Sequence, residues 1–177
     1  MRKVNWDAVE EKSSGGFRNP EPGAYVAQIM SVTDKENKEY LLLEWEFASG
    51  EWKGENARTF QRANFWPMPY YASYKETALG FFKHFKKAVE ESNRGYLFSE
   101  DDVQGLRGKF FGVILGEEEY LKKDGSLGTR LKAVNCCSIQ DVQSGSFTVP
   151  KKRPLKADAK PAAAFQELTE DDGELPF

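Results

Sequence analysis

Apolar and polar residues alternate along several short stretches of this chain, and one longer stretch switches to helical spacing. Tyr40 to Phe47 (YLLLEWEF) puts Leu41, Leu43, Trp45 and Phe47 on one face, the arrangement of a strand with one buried side. Ala24 to Thr33 (AYVAQIMSVT) is rich in β-formers and bounded by turn residues, which predicts a strand before it. The polar run Asp34 to Glu39 connects the two. Ser49-Gly50 signals a hairpin turn, Gly54 a bulge, and Ala57 to Phe65 (ARTFQRANF) a third strand.

Helical periodicity follows. Ser73, with Glu76 three residues on, has the capping-box pattern. Ala78, Phe81, Phe82, Phe85, Ala88 and Val89 make one apolar face, Lys83, Lys86 and Lys87 lie off it, and Gly95 ends the helix. Lys109 to Leu115 and Thr129 to Ile139 predict a fourth and a fifth strand, joined by a turn region that Glu117-Glu118-Glu119 opens and Lys122-Lys123-Asp124-Gly125 closes. Three strands, a helix and two strands is the order of an OB-fold, a five-stranded barrel with one helix between strands 3 and 4. An α+β sheet of another layout shares that order. The predicted organisation is a lead-in over 1–22, a mainly β domain over 23–149, and a linker over 150–177 that closes on an acidic tip. Lys, Pro and Ala dominate 151–170, so that tail is expected to be disordered.

Of the 177 residues, 40% are apolar and 14% aromatic, enough for one packed domain. The net charge of −3 conceals an uneven distribution: residues 164–177 hold five acids and no base, and without them 25 bases face 23 acids, a net of +2. A body this close to neutral binds nucleic acid only if stacking shares the work with a local basic stripe. Cys136 and Cys137 are adjacent and point to opposite faces of a strand, so they are not expected to pair. That predicts a reducing compartment, the cytoplasm. Neither a signal peptide nor a stretch of membrane-spanning length is seen.

The third predicted strand carries the chemistry. Arg58, Phe60 and Arg62 alternate onto one face, where a ring can take a base and guanidiniums can take phosphates. Trp52, Lys53, Trp66, Tyr70 and Tyr71 lie nearby in sequence, and Lys122, Lys123, Arg130 and Lys132 lie on the last hairpin. Against this, Glu44 and Glu46 project from strand two and can pair with Arg58, Arg62 or Lys53 across the sheet. Phe81, Phe82 and Phe85 read as core. Catalytic signatures are lacking: His84 reads as a surface histidine, no phosphate-binding Gly-Lys-Ser/Thr loop occurs, and Cys136-Cys137 has no further ligands for zinc. Glu117 to Glu119 form a single run and do not converge from several elements, so neither metal nor cofactor is expected.

The chain closes on Asp171-Asp172-Gly173-Glu174-Leu175-Pro176-Phe177. Phe177 can fill an apolar pocket while its carboxylate meets basic groups and the acids steer encounter. This tip resembles the terminus of bacterial single-stranded DNA-binding proteins, several Asp followed by Ile-Pro-Phe, with Gly173 and Glu174 in place of Asp and Leu175 in place of Ile. The body, over roughly residues 4–142, resembles a phage-encoded family of OB-fold single-stranded DNA-binding proteins. The likeness rests on Pro22-Gly23-Ala24-Tyr25-Val26, Tyr40 to Phe47, Trp52-Lys53-Gly54, Leu106-Arg107-Gly108-Lys109-Phe110 and Glu119-Tyr120. It implies a non-enzymatic protein that coats single-stranded DNA in phage or mobile-element replication and recombination, with homo-oligomers as one form. Its tip, Asp171, Asp172, Glu174, Leu175, Pro176 and Phe177, would recruit a helicase, primase, recombinase or annealing protein. The competing expectation is an OB-like adaptor that holds proteins and does not bind DNA.

Overall fold

The structure, a computed structural model, describes residues 19–158. Five strands run in the order β1 (Gly23–Lys35), β2 (Tyr40–Phe47), β3 (Tyr70–Ser73), β4 (Phe110–Leu121) and β5 (Leu127–Cys137). Among the described residues, α1 (Glu55–Ala63) lies between β2 and β3, α2 (Leu79–Ser92) lies between β3 and β4, and α3 (Ile139–Ser144) follows β5. All strand pairs are antiparallel, in the spatial order β3-β2-β1-β4-β5. The sheet is open, since no backbone ladder joins β3 to β5 among the described residues. The expected order of strands, with a long helix between the third and the fourth, is therefore present; a closed barrel is not.

β1 belongs to both halves of the sheet. Gly23 to Gln28 pair with β4 and Ala27 to Lys35 with β2, so Ala27 and Gln28 have partners on both sides. A bulge between Ile29 and Ser31 lets the strand bend where one pairing gives way to the other. The inner face carries Ala27, Ile29, Leu41, Leu43, Trp45, Phe47, Phe111, Val113 and Leu115, all buried, which confirms the alternation read in β2.

α2 closes one side of this core. Phe85, Ala88 and Val89 are buried, and Phe85 meets Tyr70 of β3 at 5.6 Å and Phe111 of β4 at 6.0 Å between ring centres. Phe82 packs partly beside them, but Phe81, expected in the core, is 49% exposed. Phe81 lies in the first turn of α2, and the buried positions Phe85, Ala88 and Val89 all come one turn or more beyond it. Tyr70 of β3 and Cys136 of β5 are both buried in the same core cluster, so the two edge strands share one interior. No helix among the described residues is long and apolar enough to cross a membrane.

The predicted third strand, Ala57 to Phe65, is instead the helix α1, and β3 is the short segment Tyr70–Ser73. Alternation at period two over so few residues cannot be told from helical spacing. Here Arg, Ala and Gln favour the helix, and a carboxylate from β2 holds its first turn. Gly54, expected as a bulge, takes a left-handed conformation (φ 79°) at the helix start. Ser73 pairs with Tyr40 in the sheet and does not cap α2. α3 was not anticipated, although Ser138 and Asp141 form a complete capping box. Part of the expected linker also lies against the sheet. Arg153 pairs in parallel with Glu118, and the Leu155 amide donates to Glu119 Oε2 at 3.1 Å.

Burial pushes the Cys136 thiol up to about 12, with Tyr70 opposing, and burial followed by Asp141 pushes Cys137 up to about 11. Unfolded, both ionise near 9.0. A raised folded-state value means this stability is complete below that pH and is lost as pH climbs through the folded values. Urea unfolding should therefore show stability falling from about pH 9 upward, and less steeply in a Cys136→Ala/Cys137→Ala chain. Equal slopes in the two chains would remove the thiols as the cause.

Candidate nucleic-acid interface

The β2–β3 connection, residues 48–69, holds half of the aromatic and basic residues singled out in the sequence, and it is fastened to β2 by two consecutive residues. Trp45 is fully buried; its indole N–H donates to Met68 O at 2.6 Å. Its carbonyl accepts from Asn56 Nδ2 at 2.7 Å and from Trp66 Nε1 at 2.8 Å. Glu46, which strand parity turns away from the core, is nonetheless only 8% exposed, because α1 lies over it. Its carboxylate accepts the amides of Phe47 at 2.8 Å, Asn56 at 3.1 Å and Ala57 at 2.6 Å. A negative charge thus sits on the unsatisfied donors of the first helical turn, where the helix dipole favours it. This corrects the expectation that Glu46 pairs with an arginine across the sheet. Glu44, for its part, is hydrogen-bonded to the Ser31 hydroxyl.

On this frame α1 buries only Asn56 and presents the rest outward. Phe60 is 43% exposed and Phe65 is 40% exposed. Phe60 leans on Trp66, with ring centres 5.7 Å apart and planes tilted by 44°. Arg58 and Arg62 are carried by the same helix, and both reach back to Glu55, at 2.8 and 3.0 Å. The three side chains Arg58, Phe60 and Arg62 do not share a strand face as expected. On a helix Arg58 and Arg62 lie four apart and fall on one side, with Phe60 off it.

The remaining predicted residues divide by their surroundings. Trp52 is half-buried against the core and Lys53 is exposed. Tyr70 is 3% exposed and belongs to the core, so it cannot meet a ligand. Tyr71 lies on the outer face of the sheet, edge-on to Tyr40 at 5.3 Å. On the β4–β5 hairpin Arg130 and Lys132 both pair with Glu118, the lysine at 3.2 Å, and Arg130 lies 5.3 Å from the centre of the Tyr120 ring. Lys122 and Lys123 are exposed at the hairpin tip, with no ion pair to a described residue. The tip residues Asp171, Asp172, Glu174, Leu175, Pro176 and Phe177 lie outside the described residues.

Phe65, Glu46 and Glu55 are the residues of this surface that strand reasoning missed. The signal for them was present. Glu55 precedes Arg58 by three residues and Arg62 by seven, a spacing that brings acid and bases together only on a helix. His84 is exposed as expected, with Nε2 at 2.9 Å from the Cys136 carbonyl. No protein-family model matches this chain, and no curated protein matches it.

Removing the Glu46 carboxylate should loosen α1 and everything it carries. Glu46→Ala leaves buried amides without an acceptor and should lower the unfolding free energy by about 1–3 kcal/mol. Glu46→Gln keeps one acceptor oxygen and should lose less. Denaturant titration with amide exchange across 55–63 reads both effects; an unchanged midpoint for Glu46→Ala would show that α1 does not depend on this carboxylate.

Proposed function

We propose that this protein binds single-stranded DNA with little sequence preference, and that it does so as a binding protein and not as an enzyme. The observation that carries the reading is the aromatic surface of the β2–β3 connection. Phe60 and Phe65 are large half-exposed rings, Phe60 rests on Trp66, and the exposed cations Arg58, Arg62 and Lys53 belong to the same connection. Exposed rings among cations suit stacked bases on a phosphate backbone, and stacking tolerates any base. The near-neutral body fits a site in which rings contribute more than charge.

The sheet supports the same reading. Its order β3-β2-β1-β4-β5, with β1 shared and α2 between β3 and β4, is that of an OB-fold opened between strands 3 and 5. OB-folds of this partly open kind bind oligonucleotides over strands 2 and 3, with loops 1–2 and 4–5 as clamps. On this assignment Lys122 and Lys123 at the β4–β5 tip are the second contact, and Tyr71 on the outer face of β3 belongs to the ligand surface. The resemblance of the body and the acidic tip adds the setting: replication or recombination of a phage or mobile element, with Asp171 to Phe177 recruiting a partner protein. An adaptor that never touches DNA is the second reading. What favours it is that Arg58, Arg62, Arg130 and Lys132 are already bound to Glu55 and Glu118.

Fluorescence polarisation with labelled poly-dT, duplex DNA and Mg²⁺ separates these readings. Single strands should bind without cleavage and duplex weakly. Phe60→Ala should cost about 1–3 kcal/mol if one base stacks on it. Charge reversal of Arg58 and Arg62 should weaken all sequences alike. With about four phosphates neutralised, log K should fall against log salt with a slope of about −3. A folded wild type that ignores single strands selects the adaptor. Deleting residues 171–177 should leave DNA binding intact or strengthen it, because the acids compete for the same cations; weaker binding by the deletion would refute that role.

A further inference from the structure

The cations on which the sequence drew attention are mostly neutralised within the molecule, and a different group of bases is not. Arg94, Arg107 and Lys109 make no ion pair with a described residue. Where the chain leaves α2 and begins β4, Arg94 and Lys109 line an open cleft of about 390 Å³ together with Tyr96 and the adjoining residues, and Arg107 precedes that wall by one residue. We propose that this cleft is a phosphodiester subsite, holding the backbone of the same single strand away from the aromatic surface of α1. The inference rests on the single-strand reading above and deepens it.

The walls of the cleft are fixed before any ligand arrives. The Asn93 side chain clamps the end of α2 to the start of β4: Nδ2 donates to Val89 O and to Phe110 O, both at 2.7 Å, and Oδ1 accepts from the Phe110 amide at 3.0 Å. Gly95 and Gly108 take left-handed conformations, φ 77° and 78°, and a Cβ at either would meet nothing within 4 Å. The main chain here is therefore open to a close approach. Gly108 is tied to β1 through its amide, which donates to Ile29 O at 2.8 Å. Beside it Arg107 spends only Nε, on Met30 O at 3.1 Å.

The electrostatics favour an anion. Lys109 Nζ lies 4.7 Å from the centre of the Tyr96 ring and on no carboxylate. The nearby acids are committed elsewhere: Glu90 Oε1 accepts the Phe98 amide at 2.9 Å and stands 4.0 Å from Lys86, and Asp102 Oδ1 accepts the Gly105 amide at 3.1 Å. The Tyr96 hydroxyl is buried with no hydrogen-bond partner among the described residues, and the residue forms the aromatic wall of the cleft beside Lys109. A phosphate at Arg94 and Lys109 thus breaks no ion pair, whereas one at Arg58 and Arg62 must compete with Glu55. Preformed and unpaired cations give more net attraction per phosphate.

The test compares the wild type with Arg94→Glu/Lys109→Glu, using labelled dT20 and rU20 across a salt series. The expected result is affinity reduced about tenfold at low salt, with the salt slope smaller by about 1.4 for two lost phosphate contacts. If circular dichroism shows that pair to be misfolded, Arg94→Gln/Lys109→Gln replaces it and should lose the same slope. A wild type that binds dT20, with a folded variant matching it in affinity and slope, overturns the subsite and leaves the function standing. A wild type that binds neither strand overturns the function and the subsite with it. Inorganic phosphate is titrated in parallel. If it moves the Gly95 and Gly108 amide signals while dT20 does not displace it, the cleft is a free-anion site and the assignment to nucleic acid fails.

Discussion

Everything in this molecule hangs from the middle of β1, where Ala27 and Gln28 have strand partners on both sides. Without that double pairing the chain would hold two separate hairpin-like units, β2 with β3 and β4 with β5. With it, the inward residues of both halves face one another and Phe111 packs in the same core as Trp45 and Phe47. The bulge beyond Ile29 is what makes the sharing possible, since a strand cannot follow two diverging partners without a bend. It also leaves Met30 at 41% exposure and places its carbonyl where Arg107 reaches it, which brings the β4 side of the molecule against the bend.

From that core the β2–β3 connection gains its shape through polar contacts more than apolar ones. α1 buries a single residue, so hydrophobic burial cannot account for its position. Trp45 offers a carbonyl to Asn56 and Trp66, and Glu46 offers a carboxylate to the first turn. A helix held at its root and released along its outer side can keep Phe60 and Phe65 in solvent without unravelling. Stacking requires rings on a rigid support, since flexible ones lose entropy on binding.

The sequence made β2 and most of the core face of α2 legible, because each carries a clear period over enough residues to exclude the other, whereas Glu117 to Glu119, expected in a turn, continue β4 as far as Leu121. It misled at α1. Arg58, Phe60, Arg62 and Asn64 alternate as a strand would, and only Glu55 betrays the helix. The deciding interaction there, the Glu46 carboxylate on the amides of Asn56 and Ala57, spans ten residues and cannot be seen in local propensity. Tyr70 was placed on the ligand surface for a similar reason. Its aromatic type suits either role, and only the register with Leu43 turns it inward. The candidate cations were found by type and proximity, but their availability depends on carboxylates that approach from other positions.

Charge in this protein is therefore a matter of pairing and not of totals. A body with 25 bases against 23 acids outside its last fourteen residues would bind polyanions weakly if the charges were mixed evenly. They are not. Glu55 and Glu118 each hold two bases, concentrating neutral salt-bridge clusters on α1 and the β4–β5 hairpin. The surplus appears where acids are spent on backbone amides, at Glu90 and Asp102 beside Arg94 and Lys109. Lys53 apart, the aromatic surface and the unpaired cations consequently occupy different parts of the fold. A ligand served by both must be long enough to touch each, and a polymer of stacked bases on a phosphate backbone has that property where a mononucleotide does not.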